Sequence, residues 1–142
     1  MAAERDDLDD LGGICTFSPA RMHYYAADAI AWLPDHADEA GRFAERACAA
    51  YADTESTEWA FGDQAGSQAA LCIARVTKGE VEGGADALAP VLRLPAEQRI
   101  NGIVSSILRV RQALSQSATS MADELIQEIE LFTRTPAAAL PR

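Results

Sequence analysis

Tyr24, Asp28 and Trp32 follow one another at intervals of four within SPARMHYYAADAIAWLPDH, residues 18–36, in a chain with only 6% aromatic residues. On a helix that interval sets the three side chains in one row. A carboxylate between two aromatic faces attracts a cation, because the rings and the charge pull in the same sense. Arg21, less than one turn before the row, competes for the same carboxylate. The plainer alternative packs Trp32 and the tyrosines against neighbouring helices and leaves Asp28 at the surface.

The rest of the chemistry is sparse. His23 and His36 are the only histidines, and neither belongs to a metal-ligand spacing. His36 and Glu39 are three apart, yet they continue a solvated face with Asp38. His23 has Cys15 and Ser18 upstream but no activating third group for base catalysis. GGADALAP lacks the lysine and hydroxyl residue of a phosphate loop. Arg99, Arg109 and Arg111 fall on one expected helix. They either form a small basic spot for an acidic peptide or carboxylate, or Arg109 and Arg111 neutralise Asp123, Glu124, Glu128 and Glu130 on the next. No catalytic residue, metal or cofactor is assigned. Whether the chain is an enzyme stays open, with binding preferred to catalysis.

The elements that position these groups are helical. The chain has 142 residues, enough for one domain with a real core. About a fifth of it is alanine, and β-branched residues never cluster in alternating runs. Both features favour helices packed closely through small side chains. Lysine plus arginine number 12 against 22 acidic residues, a formal charge of −10, which repels phosphate backbones and argues against direct nucleic-acid binding. No apolar run approaches the ~20 residues of a membrane span, and MAAERDDLDD is the opposite of a secretory signal. Cys15, Cys48 and Cys72 are odd in number and widely spaced, which fits neither a disulfide framework nor a zinc knuckle. Cys48 and Cys72 read as small core residues. A reduced, cytoplasmic domain is expected.

Residues 1–16 read as a flexible acidic segment, 17–134 as the helical domain and 135–142 as a frayed tail. Ser18 and Pro19 start the first helix, which Pro34 stops. Further helices are expected over about 35–52, 58–77, 81–94, 96–115 and 119–134, with Gly79 ending the third and Pro90 kinking the fourth. The expected buried stripes are Met22, Tyr25, Ala26, Ala29, Trp32 and Leu33; then Ala40, Phe43, Ala44, Ala47, Cys48 and Tyr51. On the last two helices they are Ile100, Ile103, Val104, Ile107, Leu108 and Leu114, and Met121, Leu125, Ile129 and Phe132.

The chain also echoes itself. Laying DHADEAGRFAERAC, 35–48, on GEVEGGADALAPVL, 79–92, sets Ala40 on Gly84, Ala44 on Leu88 and Ala47 on Val91. The same shift sets Tyr25, Ala26, Ala29 and Trp32 on Ala69, Ala70, Ile73 and Val76. Small and larger apolar positions at these intervals are those of a tetratricopeptide hairpin, with ADTESTEW lengthening the loop beyond the usual ~34-residue repeat.

FSPARMHYYAADAIAWLP, ARVTKGEVEGGADALAPVLRLPAEQRINGIVSSILRVRQAL and LIQEIELF resemble the C-terminal tetratricopeptide-like part of actinobacterial Xre-type transcriptional regulators. The resemblance spans residues 11–134 and rests mostly on packing residues. Those regulators carry an N-terminal helix-turn-helix domain, for which the acidic residues before Ser18 are too few, so DNA binding is not carried over. The resemblance implies the sensing or partner-binding half.

The expected fold is therefore all-α, a tetratricopeptide-like stack of about three antiparallel hairpins. Its groove candidates are Tyr24, Asp28, Trp32, Trp59, Asp63, Gln68, Arg99 and Arg109. The expected function is a non-catalytic regulatory module that recognises a peptide segment or small effector. The alternatives are a small helical biosynthetic enzyme or accessory protein with an aromatic-lined pocket, and a homodimer that uses the same face.

Overall fold

The computed structural model describes residues 19–53, 61–99 and 101–134. Trp59, Ile100 and the two terminal segments lie outside the described residues. Among the described residues there are six α-helices and no strand. They are α1 (Pro19–Ile30), α2 (Ala37–Tyr51), α3 (Phe61–Thr77), α4 (Val81–Leu92), α5 (Asn101–Leu114) and α6 (Ser120–Arg134). Short 3₁₀ turns at Pro34–His36 and Ala96–Gln98 precede α2 and α5.

Local chemistry sets the helix ends. Pro34 opens a 3₁₀ turn after α1, since its ring cannot continue the preceding helix. Gly79 takes φ +87°, and the Glu80 N–H closes onto the Arg75 carbonyl at 2.8 Å while the Gly79 N–H reaches Val76 at 2.9 Å. That left-handed glycine satisfies the last carbonyls of α3. Thr119 caps α6 by accepting the Ala122 N–H at 3.0 Å. Pro90 lies inside α4, two residues before its end; it has no N–H to give the Asp86 carbonyl, yet the helix continues through it to Leu92. The fifth helix starts later than expected, because Pro95 and the 3₁₀ turn occupy the residues read as its first turn.

Packing follows chain order, with α1 on α2, α3 on α4 and α5 on α6. α3 also meets α1, α2 and α5, and α6 reaches back to α4. Ala20 clusters with Ala47 and Tyr51, and Ala27 with Ala44, so α1 and α2 run in opposite directions. Alanine at each of these contacts lets the backbones approach closely. At the α3–α4 contact Gly84 does the same, with its α-carbon facing Val76 and Cys72. The main core gathers Ile73, Leu88, Val91, Ile103, Ile107, Val110, Leu114, Leu125, Ile129 and Phe132. α3 runs through the middle, and no described side chain from Gly62 to Thr77 is exposed.

The stripe of α2 is as expected, with Ala40, Ala44, Ala47 and Tyr51 fully buried and Phe43 and Cys48 half-buried. The stripe of α1 is not. Ala20, Ala27 and Ala31 face the core, while Met22, Tyr25 and Leu33 are 53%, 46% and 46% exposed. The larger residues do not fit where α1 meets the alanines of α2. Leu108 and Met121 are likewise outside, and Val110 and Ala122 take the buried positions.

Candidate functional site

Asp28, half-buried on α1, meets Arg109 of α5 at 2.7 Å between Oδ1 and a guanidinium nitrogen. The same guanidinium lies over the Trp32 ring, 5.6 Å from its centroid. One arginine thus holds the second and third members of the sequence row. It crosses from α1 to α5 above α3, tying the first and fifth helices together. The partner of Asp28 is thus Arg109 and not Arg21, the nearer arginine in sequence. Arg21 turns instead to Asp63 of α3, its Nε 2.9 Å from Oδ2, and the Tyr51 hydroxyl donates to the same oxygen at 3.2 Å. The Arg21 pKa is raised by that hydrogen bond and by the charge of Asp63. Burial, then the neighbouring carboxylate, pushes the Tyr51 phenol up to about 12.

Tyr24 points between these two ion pairs. Its ring lies where a side chain at residue 66 would stand, so Gly66 makes room for it. Its pKa is raised by burial first and by Asp28 and Asp63 after that. Tyr24, Asp28, Asp63 and Arg109 therefore come together along the α1–α3–α5 face. Trp32 extends the line to its far end.

There a cleft of about 560 Å³ opens at the ends of the same three helices. Trp32 and Pro34 form one wall, Val76, Thr77 and Gly79 the floor, and Gln112, Ala113, Gln116 and Ser117 the other wall. Its size is within the range of small-ligand sites, roughly 300–1,000 Å³. The Thr77 hydroxyl is occupied by the Ile73 carbonyl at 2.7 Å and the Ala31 carbonyl at 3.0 Å. Its one proton is thereby committed, which leaves the two carboxamides, Ser117 and the Trp32 indole N–H as the side-chain donors among the lining residues. Gln112 and Gln116 escaped the sequence reading because uncharged polar residues on an exposed helix side look like ordinary solvated surface. The usable signal was position: Gln112 lies at i+3 from Arg109 on α5, and Gln116 lies in the turn just beyond that helix.

Two expected groove residues lie elsewhere. Arg99 sits 4.3 Å from the Phe132 ring centroid and donates to the carbonyls of Leu94 at 2.8 Å and Phe132 at 3.2 Å. It secures the end of α6, far along α5 from Arg109. Gln68 lines a shallow dip with Gln64, Pro90 and Leu94 between α3 and α4. Trp59 lies outside the described residues. The basic spot does not form, because Arg99, Arg109 and Arg111 take separate partners. Arg111 does neutralise α6, 2.8 Å from Glu130, whereas Arg109 goes to α1.

His23 lies against Phe43 of α2, with centroids 6.0 Å apart, while Asp28 faces α5, so the two are not aligned as an acid–base pair. Among the described residues no group of three or more His, Cys, Asp or Glu could hold a metal ion. Burial pushes the Cys72 thiol up to about 12 and the Cys48 thiol up to about 11. Thiolates, not thiols, are the nucleophiles. In a Cys15→Ser background neither cysteine is expected to react with a disulfide reagent at pH 8 until denaturant is added, and fast labelling of native protein would refute this. Both thiols are raised above the ordinary 9.0, so their neutral forms favour the folded state. That contribution is intact below pH 9 and is lost as pH climbs towards the folded values. The thermal midpoint should accordingly fall above pH 9.

Among the described residues no helix is long and apolar enough to cross a membrane. Comparison with protein-family models, curated proteins and solved structures finds nothing that matches this chain.

Proposed function

We propose that this chain is a non-catalytic binding module, a tetratricopeptide-like stack of three helical hairpins that takes a peptide segment or small effector on the wall shared by α1, α3 and α5. The resemblance to the sensing half of Xre-type regulators gives that module a place in cytoplasmic regulation. The observation that supports it is the pairing of an open cleft with a pre-set aromatic. Trp32 borders the cleft and is held by Arg109, which is itself fixed by Asp28. Orienting a recognition residue before the ligand arrives lowers the entropy lost on binding.

The test is an NMR screen of isotope-labelled protein against a mixed set of capped peptides and small polar fragments. Hits are expected to shift the Trp32 indole and the Gln112 and Gln116 amides. Trp32→Ala should weaken them by about tenfold or more, the loss of an aromatic anchor, and Arg109→Ala by less, with circular dichroism near wild type in both. Hits that cluster elsewhere, or a Trp32→Ala chain that unfolds, would remove this cleft as the recognition site.

A second arrangement has its own support. Met22 and Tyr25 on α1 and Leu33 just after it are exposed apolar side chains, at 53%, 46% and 46%. An antiparallel pairing with a second copy would set Met22 against Leu33 across the small residues Ala26 and Ala29. Light scattering of wild type and Met22→Glu over a concentration series separates the two: a monomer throughout rules out the homodimer.

A further inference from the structure

We infer that the occupant of the Trp32 cleft is an uncharged stretch of extended polypeptide, read mainly through its main chain by Gln112 and Gln116. This rests on the binding-module proposal and adds the chemistry of the ligand.

Three observations converge on it. None of the nine residues that line the cleft carries a formal charge, although the chain as a whole has a formal charge of −10. The cations nearby are already paired: Arg109 beside Trp32 holds Asp28 at 2.7 Å, Lys78 between Thr77 and Gly79 holds Asp38 at 2.9 Å, and Arg111 next to Gln112 holds Glu130 at 2.8 Å. A ligand with a charge at its centre would lose hydration there and gain no partner, a net cost. The site selects against charge by leaving it unanswered.

The polar groups it does offer match a peptide. Each carboxamide has a donor and an acceptor side by side, the same pair that a peptide unit presents. Gln112 stands on the last turn of α5 and Gln116 in the turn that follows it, and both line the cleft. Peptide units that face one side of an extended chain repeat every two residues, about 6.7 Å. Two flexible glutamine side chains on one cleft therefore each engage a peptide group on the same side of one strand.

The opposite wall is suited to a side chain. Trp32 has a guanidinium over its ring, packs against the main core and shares the cleft with Val76. It gives the cleft an apolar wall and leaves little open ring face of the kind on which a sugar would stack. A valine, proline or leucine of the ligand would lie against it, with Pro34 adjacent.

The experiment is affinity selection from a pool of N-acetylated, C-amidated hexapeptides randomised over all residue types, with retained sequences read by mass spectrometry. Expected survivors are uncharged at their central positions and carry at least one aliphatic residue. A Gln112→Leu, Gln116→Leu double variant should retain them about tenfold less, consistent with two lost hydrogen bonds, and N-methylation of alternate peptide nitrogens should cost as much. Both glutamines are exposed, so the double variant is expected to fold, and circular dichroism checks it. Survivors centred on charge, or binding indifferent to the double variant and to N-methylation, overturn the inference. Maltohexaose and neutral fragments form the control arm. If they shift the Trp32 indole while no peptide is retained, the cleft remains a binding site and the peptide assignment falls. If nothing moves those signals, both fall together.

Discussion

Ile107→Ala should cost about 2–5 kcal/mol of unfolding free energy, while Leu108→Ala, one residue further, should change it by about 0.5 kcal/mol or less. The two side chains are of equal size and adjacent in sequence. Ile107 is fully buried within the main core, and Leu108 is 48% exposed. Removing three carbons from Ile107 leaves a void between α5 and its neighbours that the packed interior fills only in part. Removing the same number from Leu108 leaves water in place of a side chain already half in water. Urea titrations of the two variants decide the matter, since a change in midpoint at constant slope reports stability alone. Equal losses at the two positions would show that α5 is rotated relative to the arrangement described above.

Gly66→Ala should destabilise by about 1–3 kcal/mol, the usual range for forcing extra atoms into a packed site. Gly41→Ala should do the reverse and gain about 0.5–1 kcal/mol. Both glycines are helical and buried. A methyl group at residue 41 has nothing within 4 Å, so only the helix-forming advantage of alanine remains. At residue 66 the methyl would overlap the Tyr24 hydroxyl and ring. The cause can be isolated by deleting that ring. In a Tyr24→Ala background Gly66→Ala should become neutral or favourable, a coupling that a double-mutant cycle measures directly. Simple additivity would mean that Tyr24 does not rest on Gly66.

The sequence displayed the helices well because their ends carry distinct local chemistry. Pro34, Gly79, Pro95 and Thr119 each act within a turn of where they stand. The inner face of α2 was equally legible, since Ala40, Ala44, Ala47 and Tyr51 repeat at helical spacing against charged neighbours. α1 defeated the same approach for a physical reason. Its apolar residues surround most of the helix, so helical spacing alone permits more than one buried stripe. At a contact built from alanines, size excludes a residue from the interface, so Met22, Tyr25 and Leu33 went outside. Periodicity also could not choose between Leu108 and Val110, which differ by about half a turn on a helix with apolar residues on both sides.

The candidate site was legible residue by residue but not pair by pair. Tyr24, Asp28, Trp32, Asp63 and Arg109 are each singled out by residue type, yet their partnerships depend on which helices become neighbours. Arg21 is closer in sequence to Asp28 than to Asp63, and only the packing of α1 on α3 gives it to Asp63. Arg109 reaches Asp28 because α5 lies on the other side of α3. Local spacing contains neither fact.

The burial of α3 limits how the chain can be divided. An array whose units each bury their own apolar surface can be shortened or extended at either end. Here the middle helix has no exposed side to turn towards water from Gly62 to Thr77, and each outer pair covers part of it. Cutting away α1 and α2 would uncover Ala70 and Leu71, and cutting away α5 and α6 would uncover the side that meets Ile103 and Ile107. The described helices accordingly form one indivisible cooperative unit rather than a set of interchangeable modules. The Asp28–Arg109 bridge joins α1 to α5 across that unit, and the cleft it borders draws its lining from α3, α5 and the turns that follow the first, third and fifth helices.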